Sequence, residues 1–488
     1  MQINEQKILW DKLLSCKRLN ELRSNTIETP CRIDPRNSFE RDCDRITYSY
    51  PFRRLQDKTQ VIPLPVTDFV HTRLTHSLEV TTVGRSFGRL LEKYLLDQKI
   101  IDHINCGDIP AILSAACLSH DIGNPPFGHS GENSIAEYFN FEDGKDLLAQ
   151  DYFDEVPHTG SEKGYITIYR DTVSNIKCLD LMKFEGNANG FRILTKHNGD
   201  GLNLTAATLA SFCKYPRTSF VHGDSDSTSW SPDRISQKKY GVFYSELDDF
   251  KLIAKECGLV ELKTMTDCVA YARHPLAFLM EAADDICYRI IDLEDGHRIS
   301  RIPFYEAENL LKLIAIKDER FDSKEYSNID NENQKIEYLR SKCINHLVHK
   351  CFDVFISNYI NILTGQFDKE LLFCIDDKDT IDAIKELKKL VTKYVYNWHE
   401  VLALEVTGFE VLSGLISEFV HASNLCLPCE PNTQSKKALK TFQLLPEKYH
   451  HKDNEEKYVR YMKVIDYVSG MSDRFALNLF KKIRGINI

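Results

Sequence analysis

Residues 118–132, with the sequence LSHDIGNPPFGHSGE, hold two histidines, an aspartate and a glutamate around two prolines and three glycines. His120 and Asp121 are adjacent, and His129 stands three residues before Glu132. Imidazole and carboxylate groups together suit a divalent metal ion. A histidine that is oriented by a carboxylate also suits proton transfer. This stretch therefore predicts metal-dependent chemistry assisted by a general acid or base.

Two ligands are too few to hold a metal ion, so further ligands must come from elsewhere in the chain. His76 begins a predicted helix in the segment HTRLTHSLEV (71–80). Asp284 shares one face of a predicted helix over 275–296 with apolar residues, where a carboxylate is costly unless it is paired or binds a metal. We predict that one divalent ion is bound by His76, His120, Asp121 and Asp284. The identity of the ion stays open among Mn²⁺, Mg²⁺, Fe²⁺, Co²⁺, Ni²⁺ and Zn²⁺.

Helical elements must position these groups. The segment PAILSAACLSHD (110–121) carries apolar residues at three- and four-residue spacing, which predicts a helix. The helix must end near His120, because the glycine and the two prolines that follow cannot continue it. Side chains at its end can then project into a cavity, and the rigid Gly/Pro turn can carry His129 back over the metal ligands.

The rest of the pattern is also mostly helical. Residues 380–422 predict one or two long helices, and residues 457–485 predict helices with a break near Gly470. Alternating patterns are few, so the predicted class is all-α with at most a small β-hairpin, around 163–170. We predict three regions: an N-terminal helical segment (1–40), a catalytic core (41–300) and a helical C-terminal region (301–488) that completes the pocket and provides subunit contacts.

Composition narrows the class of protein. The 488 residues include 62 Lys and Arg against 72 Asp and Glu, and this net charge of −10 argues against a surface that grips nucleic acid throughout. There is no apolar run of transmembrane length and no signal-peptide pattern, and most of the fifteen cysteines stand alone, as reduced thiols do. We therefore expect a cytoplasmic protein with no membrane partner. Cys426 and Cys429 form a lone CxxC pair, to which no role is assigned.

Six segments connect the chain to a known family. They are FRRLQDKTQV (52–61), TRLTHSLEV (72–80), HDIGNPPFGHSGE (120–132), KFEGNANGFRIL (183–194), EAADDICY (281–288) and DYVSGMSDRFAL (466–477). In content and order they resemble the dGTP triphosphohydrolase family of the HD-domain phosphohydrolase superfamily. The third segment is highly specific for this family, whereas a His-Asp pair alone would be weak evidence of membership.

The resemblance implies a reaction. Enzymes of that family cleave the bond between the α-phosphorus and the 5′ oxygen, which releases a deoxynucleoside and tripolyphosphate. It also implies an HD-type helical core, one catalytic metal and a water nucleophile, with dGTP as the favoured deoxynucleoside triphosphate. His129 and Glu132 fall on the family's catalytic positions. A homo-oligomer is expected, and single-stranded DNA or a nucleotide effector stays open as a further partner.

Binding a triphosphate requires cations. The candidates are Arg53, Arg54, Lys58, Arg73, Lys214 and Arg217. Arg73 precedes His76 by one helical turn, so it can reach a phosphate at the metal. The resemblance further implies that Lys214 and Tyr215 contact phosphate. It places Gln60, Val61, Tyr288 and Asp292 against the deoxyribose, and we assign Glu405 and Glu410 to the base.

Two other readings stay open at the level of sequence. The chain could be another HD phosphohydrolase that acts on a cyclic nucleotide, a nucleoside monophosphate or a guanosine polyphosphate. It could also be a non-catalytic nucleotide sensor or a DNA-binding scaffold with a structural metal. The GNPPFGH loop favours the triphosphohydrolase over the first alternative, and the intact His129–Glu132 pair argues against the second.

Overall fold

Helices build almost the whole molecule. The computed structural model describes residues 1–26, 34–61, 71–102, 106–157, 165–169, 171–197, 200–221, 234–264, 266–426, 435–452 and 454–486. The α-helices in these ranges are α1 (Ile3–Leu13), α2 (Leu19–Ser24), α3 (Ser38–Thr47), α4 (Tyr50–Arg54), α5 (Arg73–Asp97), α6 (Asp108–Ser119), α7 (Gly128–Phe141), α8 (Asp143–Tyr152), α9 (Thr172–Met182), α10 (Gly186–Thr195), α11 (Ala206–Phe212), α12 (Leu247–Cys257), α13 (Pro275–Arg298), α14 (Phe304–Ala315), α15 (Ser323–Ser327), α16 (Glu332–Ser357), α17 (Tyr359–Leu363), α18 (Lys378–Val391), α19 (His399–Leu425), α20 (Lys436–Gln443), α21 (Lys457–Ser469) and α22 (Asp473–Arg484).

The described β structure consists of two short antiparallel pairs. Strand β1 (Phe153–Pro157) pairs with β2 (Tyr165–Tyr169), and β3 (Glu261–Thr264) pairs with β4 (Val269–Tyr271). The all-α class is therefore confirmed. The hairpin predicted around 163–170 contributes only β2, whose partner lies earlier in the chain. The β3–β4 pair was not predicted, because strands this short carry too little alternation to be recognised.

The central helix is α6, with ten of its twelve residues buried. A helix that is apolar on all sides belongs inside a core. It packs against α5, where a Cβ added at Gly88 would lie only 2.6 Å from the Cα of Pro110. Glycine therefore permits a close approach of the two backbones, which fixes the ends that carry His76 and His120 relative to each other.

The C-terminal region shares its core with the rest of the chain. The largest apolar cluster joins Ile290 of α13 to Leu339 and Phe355 of α16, so it crosses residue 300 without interruption. A second cluster joins Phe139 of α7 to Leu412 of α19. The elements that carry the predicted site residues are therefore held in place by packing from both sides of that boundary.

The C-terminal helices agree with the sequence pattern. The stretch 380–422 forms two helices, α18 and α19, separated by a π-helical turn at Thr392–Tyr396. The break predicted near Gly470 is confirmed, since α21 ends at Ser469. No helix within the described ranges has both the length and the apolar character needed to cross a bilayer.

Candidate active site

A cavity of about 480 Å³ lies where α5, the end of α6, the start of α7 and α13 meet. Most of the residues predicted from the sequence to bind the metal or the substrate line this cavity, whereas Asp292, Glu410 and four of the predicted phosphate cations do not. The predicted residues that line it are Gln60, Val61, Arg73, His76, His120, Asp121, His129, Glu132, Lys214, Tyr215, Asp284, Tyr288 and Glu405. Six separate stretches of the chain therefore meet in one place.

The candidate metal ligands form a tight cluster. One potential ligand atom from each of His76, His120 and Asp121 lies within 4.8 Å of the others. Asp284 joins them, with its Oδ1 3.1 Å from His76 Nε2 and 3.5 Å from His120 Nε2. Two imidazoles and two carboxylates converge here, which is a suitable ligand set for a divalent ion.

The hydrogen bonding of His120 fits a metal site. Its Nδ1 lies 2.7 Å from the carbonyl oxygen of Cys117, so Nδ1 carries the proton and Nε2 carries the lone pair. That Nε2 is buried and has no hydrogen-bond partner. Burial lowers the pKa of His120, which favours the neutral form that a metal ligand requires. A buried lone pair beside two carboxylates is explained by a cation at this position.

Two cationic side chains form ion pairs with the carboxylates of the cluster. Arg73 Nη1 donates to Asp121 Oδ2 at 2.7 Å, and Lys214 Nζ donates to Asp284 Oδ2 at 2.6 Å. Burial opposes ionisation of both carboxyl groups, but these cations and the nearby histidines hold the pKa of each below its usual range. The carboxylates are therefore charged, and each cation can also face an anion in the cavity.

The second chemical group of the cavity is a histidine–carboxylate pair on the first turn of α7. His129 Nδ1 lies 2.8 Å from Glu132 Oε2, and Glu132 Oε1 accepts from the backbone N–H of Gly186 at 3.0 Å. Glu132 is buried, whereas 80% of the His129 side chain is exposed. The hydrogen bond that His129 donates to the Glu132 carboxylate raises the pKa of His129 above its ordinary value. His129 thus keeps its proton to higher pH than a free imidazole does, and it lies at the cavity surface.

A left-handed turn precedes this pair and leads it into the same cavity as the candidate metal cluster. Phe127 and Gly128 both have positive φ, +62° and +60°, and α7 begins immediately at Gly128. A Cβ added at Gly128 would lie 2.7 Å from Arg73 Nη2. Glycine is required here by its backbone conformation and by the closeness of Arg73. The chain reversal predicted for the Gly/Pro stretch is therefore present. His129 itself lies in the first turn of α7 and not in the reversal.

A wall of two tyrosines closes the side of the cavity formed by α13. The rings of Tyr288 and Tyr396 are nearly parallel, with an interplanar angle of 14° and centroids 6.5 Å apart. The hydroxyl of Tyr396 donates to Asp292 Oδ2 at 2.5 Å. Asp292 therefore lies behind the wall, in contact with a residue that lines the cavity. Burial raises the pKa of this carboxyl group to about 7.

Comparison with known proteins places the sequence in a family. Residues 73–164 match the HD domain, and residues 377–482 match the phosphohydrolase-associated domain. A deoxyguanosinetriphosphate triphosphohydrolase-like protein of a Synechocystis species is 39% identical over 98% of this chain and 100% of its own length. Proteins of the same description from Listeria innocua (34% identical, 98% of this chain, 100% of their own) and Pseudomonas aeruginosa (33%, 98% and 98%) are also similar.

The chain belongs to the deoxyguanosinetriphosphate triphosphohydrolase-like family. It is an HD-domain hydrolase, and the resemblance drawn from the six segments is confirmed. HD domains bind divalent metal ions, in agreement with the cluster around His120. The HD match includes His76, Asp121, His129 and Glu132, whereas Asp284 lies outside it.

Tyr396 and Lys239 are among the cavity residues of this family member that were not predicted from the sequence. Tyr396 lies in the π-helical turn before α19, and Lys239 lies shortly after the 3-10 turn at Ile235–Gln237. Lys239 Nζ is 3.1 Å from Glu185 Oε1 and faces the same cavity as Glu132. Neither residue has a local signal, because a single aromatic or basic side chain is common on any helix or loop. The Lys-Tyr pair at 239–240 gives no signal either, because this dipeptide occurs six times in the chain.

Four predicted phosphate cations lie outside the cavity and contact protein groups instead. Arg53 is exposed, with its guanidinium 5.7 Å from the ring of Tyr48. Arg54 donates to a backbone carbonyl between α21 and α22, and Lys58 donates to two backbone carbonyls. Arg217 is buried and donates to carbonyls of its own loop. Among the described residues, Arg73, Lys214 and Lys239 are the cations that line the cavity.

Proposed function

We propose that the chain hydrolyses deoxynucleoside triphosphates, preferably dGTP, to the deoxynucleoside and tripolyphosphate. One observation carries the proposal: a His–carboxylate proton donor and a candidate metal cluster face the same cavity, flanked by three cations and a tyrosine wall. The proposal also draws on the relatives, which are described as deoxyguanosinetriphosphate triphosphohydrolase-like.

The metal would be held by His76, His120, Asp121 and Asp284. When bound, a divalent ion supplies Lewis-acid activation of water and of a phosphate oxygen. The protein groups contribute the rest of the site. Arg73 and Lys214 lie against the ligand carboxylates, so an incoming phosphate group would meet positive charge on both sides of the cluster. Lys239 adds a third positive charge beside Glu132, in reach of the remaining phosphates.

The leaving group determines what His129 must do. The 5′ oxygen of a nucleoside departs as a poor leaving group unless it receives a proton as the bond to phosphorus breaks. A protonated His129, oriented through Nδ1 by Glu132, can donate that proton from its other ring nitrogen. The attacking water adds to phosphorus, and its oxygen stays with the tripolyphosphate.

The base would lie towards α19. Glu405 lines the open side of the cavity together with Leu404 and Val401. A carboxylate can accept two hydrogen bonds from the N1–H and 2-amino groups of guanine, whereas adenine offers no donors at these positions. Glu410, the other acidic residue assigned to the base, does not line the cavity. We therefore assign guanine preference to Glu405.

Discrimination against ribonucleotides is the first expected outcome. Tyr288 and Tyr396 form a close wall backed by Asp292, and a 2′-hydroxyl against this wall would lack space or a hydrogen-bond partner. We expect kcat/KM for dGTP to exceed that for GTP by roughly 10²-fold or more. Tyr396→Ala should narrow this ratio because it removes the wall. Steady-state kinetics with both nucleotides would measure it, and equal kcat/KM values would contradict the assignment.

Replacing Glu132 by glutamine should move the pH profile. The Glu132 carboxylate raises the pKa of His129, and a general acid works only while it is protonated, that is, below its pKa. In Glu132→Gln the pKa of His129 falls, so the alkaline decline of kcat should occur at lower pH. The loss of kcat at the optimum should be smaller than for His129→Ala. A profile that stays in place would show that Glu132 does not tune His129.

A substrate panel tests the proposal as a whole. The purified chain is incubated with each of the four deoxynucleoside triphosphates and with single added divalent metals, and tripolyphosphate is measured. Release of tripolyphosphate, fastest from dGTP, is the expected result. Hydrolysis of cyclic nucleotides, nucleoside monophosphates or guanosine polyphosphates without tripolyphosphate would favour another HD hydrolase. Binding without turnover would favour a nucleotide sensor.

A further inference from the structure

The segment DYVSGMSDRFAL (466–477) takes no part in the chemistry described so far, yet one of its side chains reaches the back of the cavity. Asp473, the first residue of α22, is 1% exposed. Its Oδ1 accepts from the backbone N–H of Phe127 at 3.0 Å, and its Oδ2 accepts from the backbone N–H of Thr59 at 2.9 Å. One buried carboxylate thus joins two segments that are 68 residues apart in sequence.

Both of these segments carry groups of the active site. Phe127 lies two residues before His129 and has positive φ, a conformation that a bulky residue adopts only when its surroundings hold it there. Thr59 directly precedes Gln60 and lines the cavity itself. It also forms an isolated bridge with Thr72, at the start of the helix that carries His76.

Hydrogen bonds from Lys58 and Arg54 connect the same parts of the chain as those of Asp473. Lys58 Nζ donates to the carbonyls of Asn124 and Ser469, the latter at 3.0 Å, so it ties the loop of the metal ligands to the end of α21. Arg54 Nη1 donates to the carbonyl of Gly470 at 2.7 Å. The turn between α21 and α22 therefore contacts the 54–59 segment and the 124–127 loop through both backbone and side-chain groups.

We propose that Asp473 is a positioning residue of the active site. Through Phe127 it fixes the left-handed turn that sets His129 above the metal ligands, and through Thr59 it fixes the segment that carries Gln60. A misplacement of a reacting group by about 1 Å can cost about 10²-fold in rate. The proposal rests on the proposed function only for its kinetic consequence, since the two hydrogen bonds themselves do not depend on it.

Stabilisation of α22 is a simpler role for Asp473, and it must be distinguished from positioning of the active site. A carboxylate at the start of a helix stabilises the helix through its dipole, so Asp473 could act on α22 alone. The adjacent Ser472 provides the comparison, because its side chain caps α22 by accepting from Phe475 N–H, and no hydrogen bond among the described residues joins it to Thr59 or Phe127. Ser472→Ala therefore weakens the same helix end without removing the two contacts.

The experiment compares Asp473→Asn with Ser472→Ala in the full chain. Asparagine offers one oxygen and one NH₂ group, so it leaves one of the two backbone N–H groups without an acceptor. We expect Asp473→Asn to lower kcat per metal-loaded molecule by about 10–10²-fold with metal affinity little changed. Amide hydrogen exchange should become faster at Thr59 or Phe127. Ser472→Ala should lower thermal stability, with kcat per metal-loaded molecule and exchange at both sites unchanged.

An unchanged kcat in Asp473→Asn, or unchanged exchange at both amides, would overturn the proposal and leave Asp473 a helix-stabilising residue. Should the asparagine variant not fold, Asp473→Glu keeps the charge and moves both oxygens by one methylene, and it carries the same expectations. If the wild-type chain releases no tripolyphosphate, the proposed function fails separately. Exchange at Thr59 and Phe127 would then still decide whether Asp473 holds the two segments.

Discussion

Replacing His129 by alanine should leave an enzyme that holds its metal and binds dGTP but turns over slowly. The loss of a general acid typically costs about 10²–10⁴-fold in kcat. His129 contacts Glu132 and is not one of the four candidate ligands, so metal content should stay at the wild-type level. Turnover measured together with metal analysis would check both parts of this expectation.

His197→Ala provides the matched control for that variant. His197 is also exposed and lies 3.3 Å from a carboxylate, that of Asp249, but it does not line the cavity. Its removal should leave kcat unchanged. A His129→Ala enzyme with nearly normal kcat and intact metal would mean that the turn before α7 is purely structural and that the proton comes from another group.

Replacing Asp121 by alanine should remove the metal and with it the activity. Asp121 supplies one of the carboxylates in the cluster and also orients Arg73 at 2.7 Å, so the variant loses a ligand and frees a buried cation next to the site. Because Lewis-acid stabilisation is worth several kcal/mol, we expect turnover to fall by roughly 10³-fold or more. Metal content and kcat should be measured on the same sample.

The control for Asp121→Ala is a carboxylate that lines the cavity without belonging to the cluster. Asp285 meets this condition, since it pairs with Arg289 at 3.4 Å. Asp285→Asn should retain a full equivalent of metal. If Asp121→Ala did so as well, the four-ligand assignment would be wrong, and the cluster would have to be read as a network of ion pairs.

The parts of the site that could be predicted from the sequence are those in which local rules determine position. The helix ending at His120 follows from a glycine and two prolines that cannot continue it. Asp284 stands out because its helix face is otherwise apolar, and a carboxylate there needs a partner. In both cases a few neighbouring residues restrict the backbone or the environment enough to indicate where the side chain goes.

Prediction was weaker where packing between distant segments decides the orientation. Arg53 and Arg54 lie between Phe52 and Leu55, both buried, and this packing turns the arginines away from the cavity. Tyr396 enters the cavity only because the π-helical turn places it against Tyr288, more than 100 residues earlier in sequence. No short window of sequence contains such information, since it depends on how α13 and α18 pack.

The identity of the products formed from dGTP in H₂¹⁸O tests the central claim most directly. If water attacks the α-phosphorus and the bond to the 5′ oxygen breaks, the products are deoxyguanosine and tripolyphosphate, with ¹⁸O only in the tripolyphosphate. Phosphorus NMR and mass spectrometry of the reaction mixture would show both. Formation of dGMP with pyrophosphate, of dGDP with phosphate, or of ¹⁸O-labelled deoxyguanosine would contradict the proposed reaction.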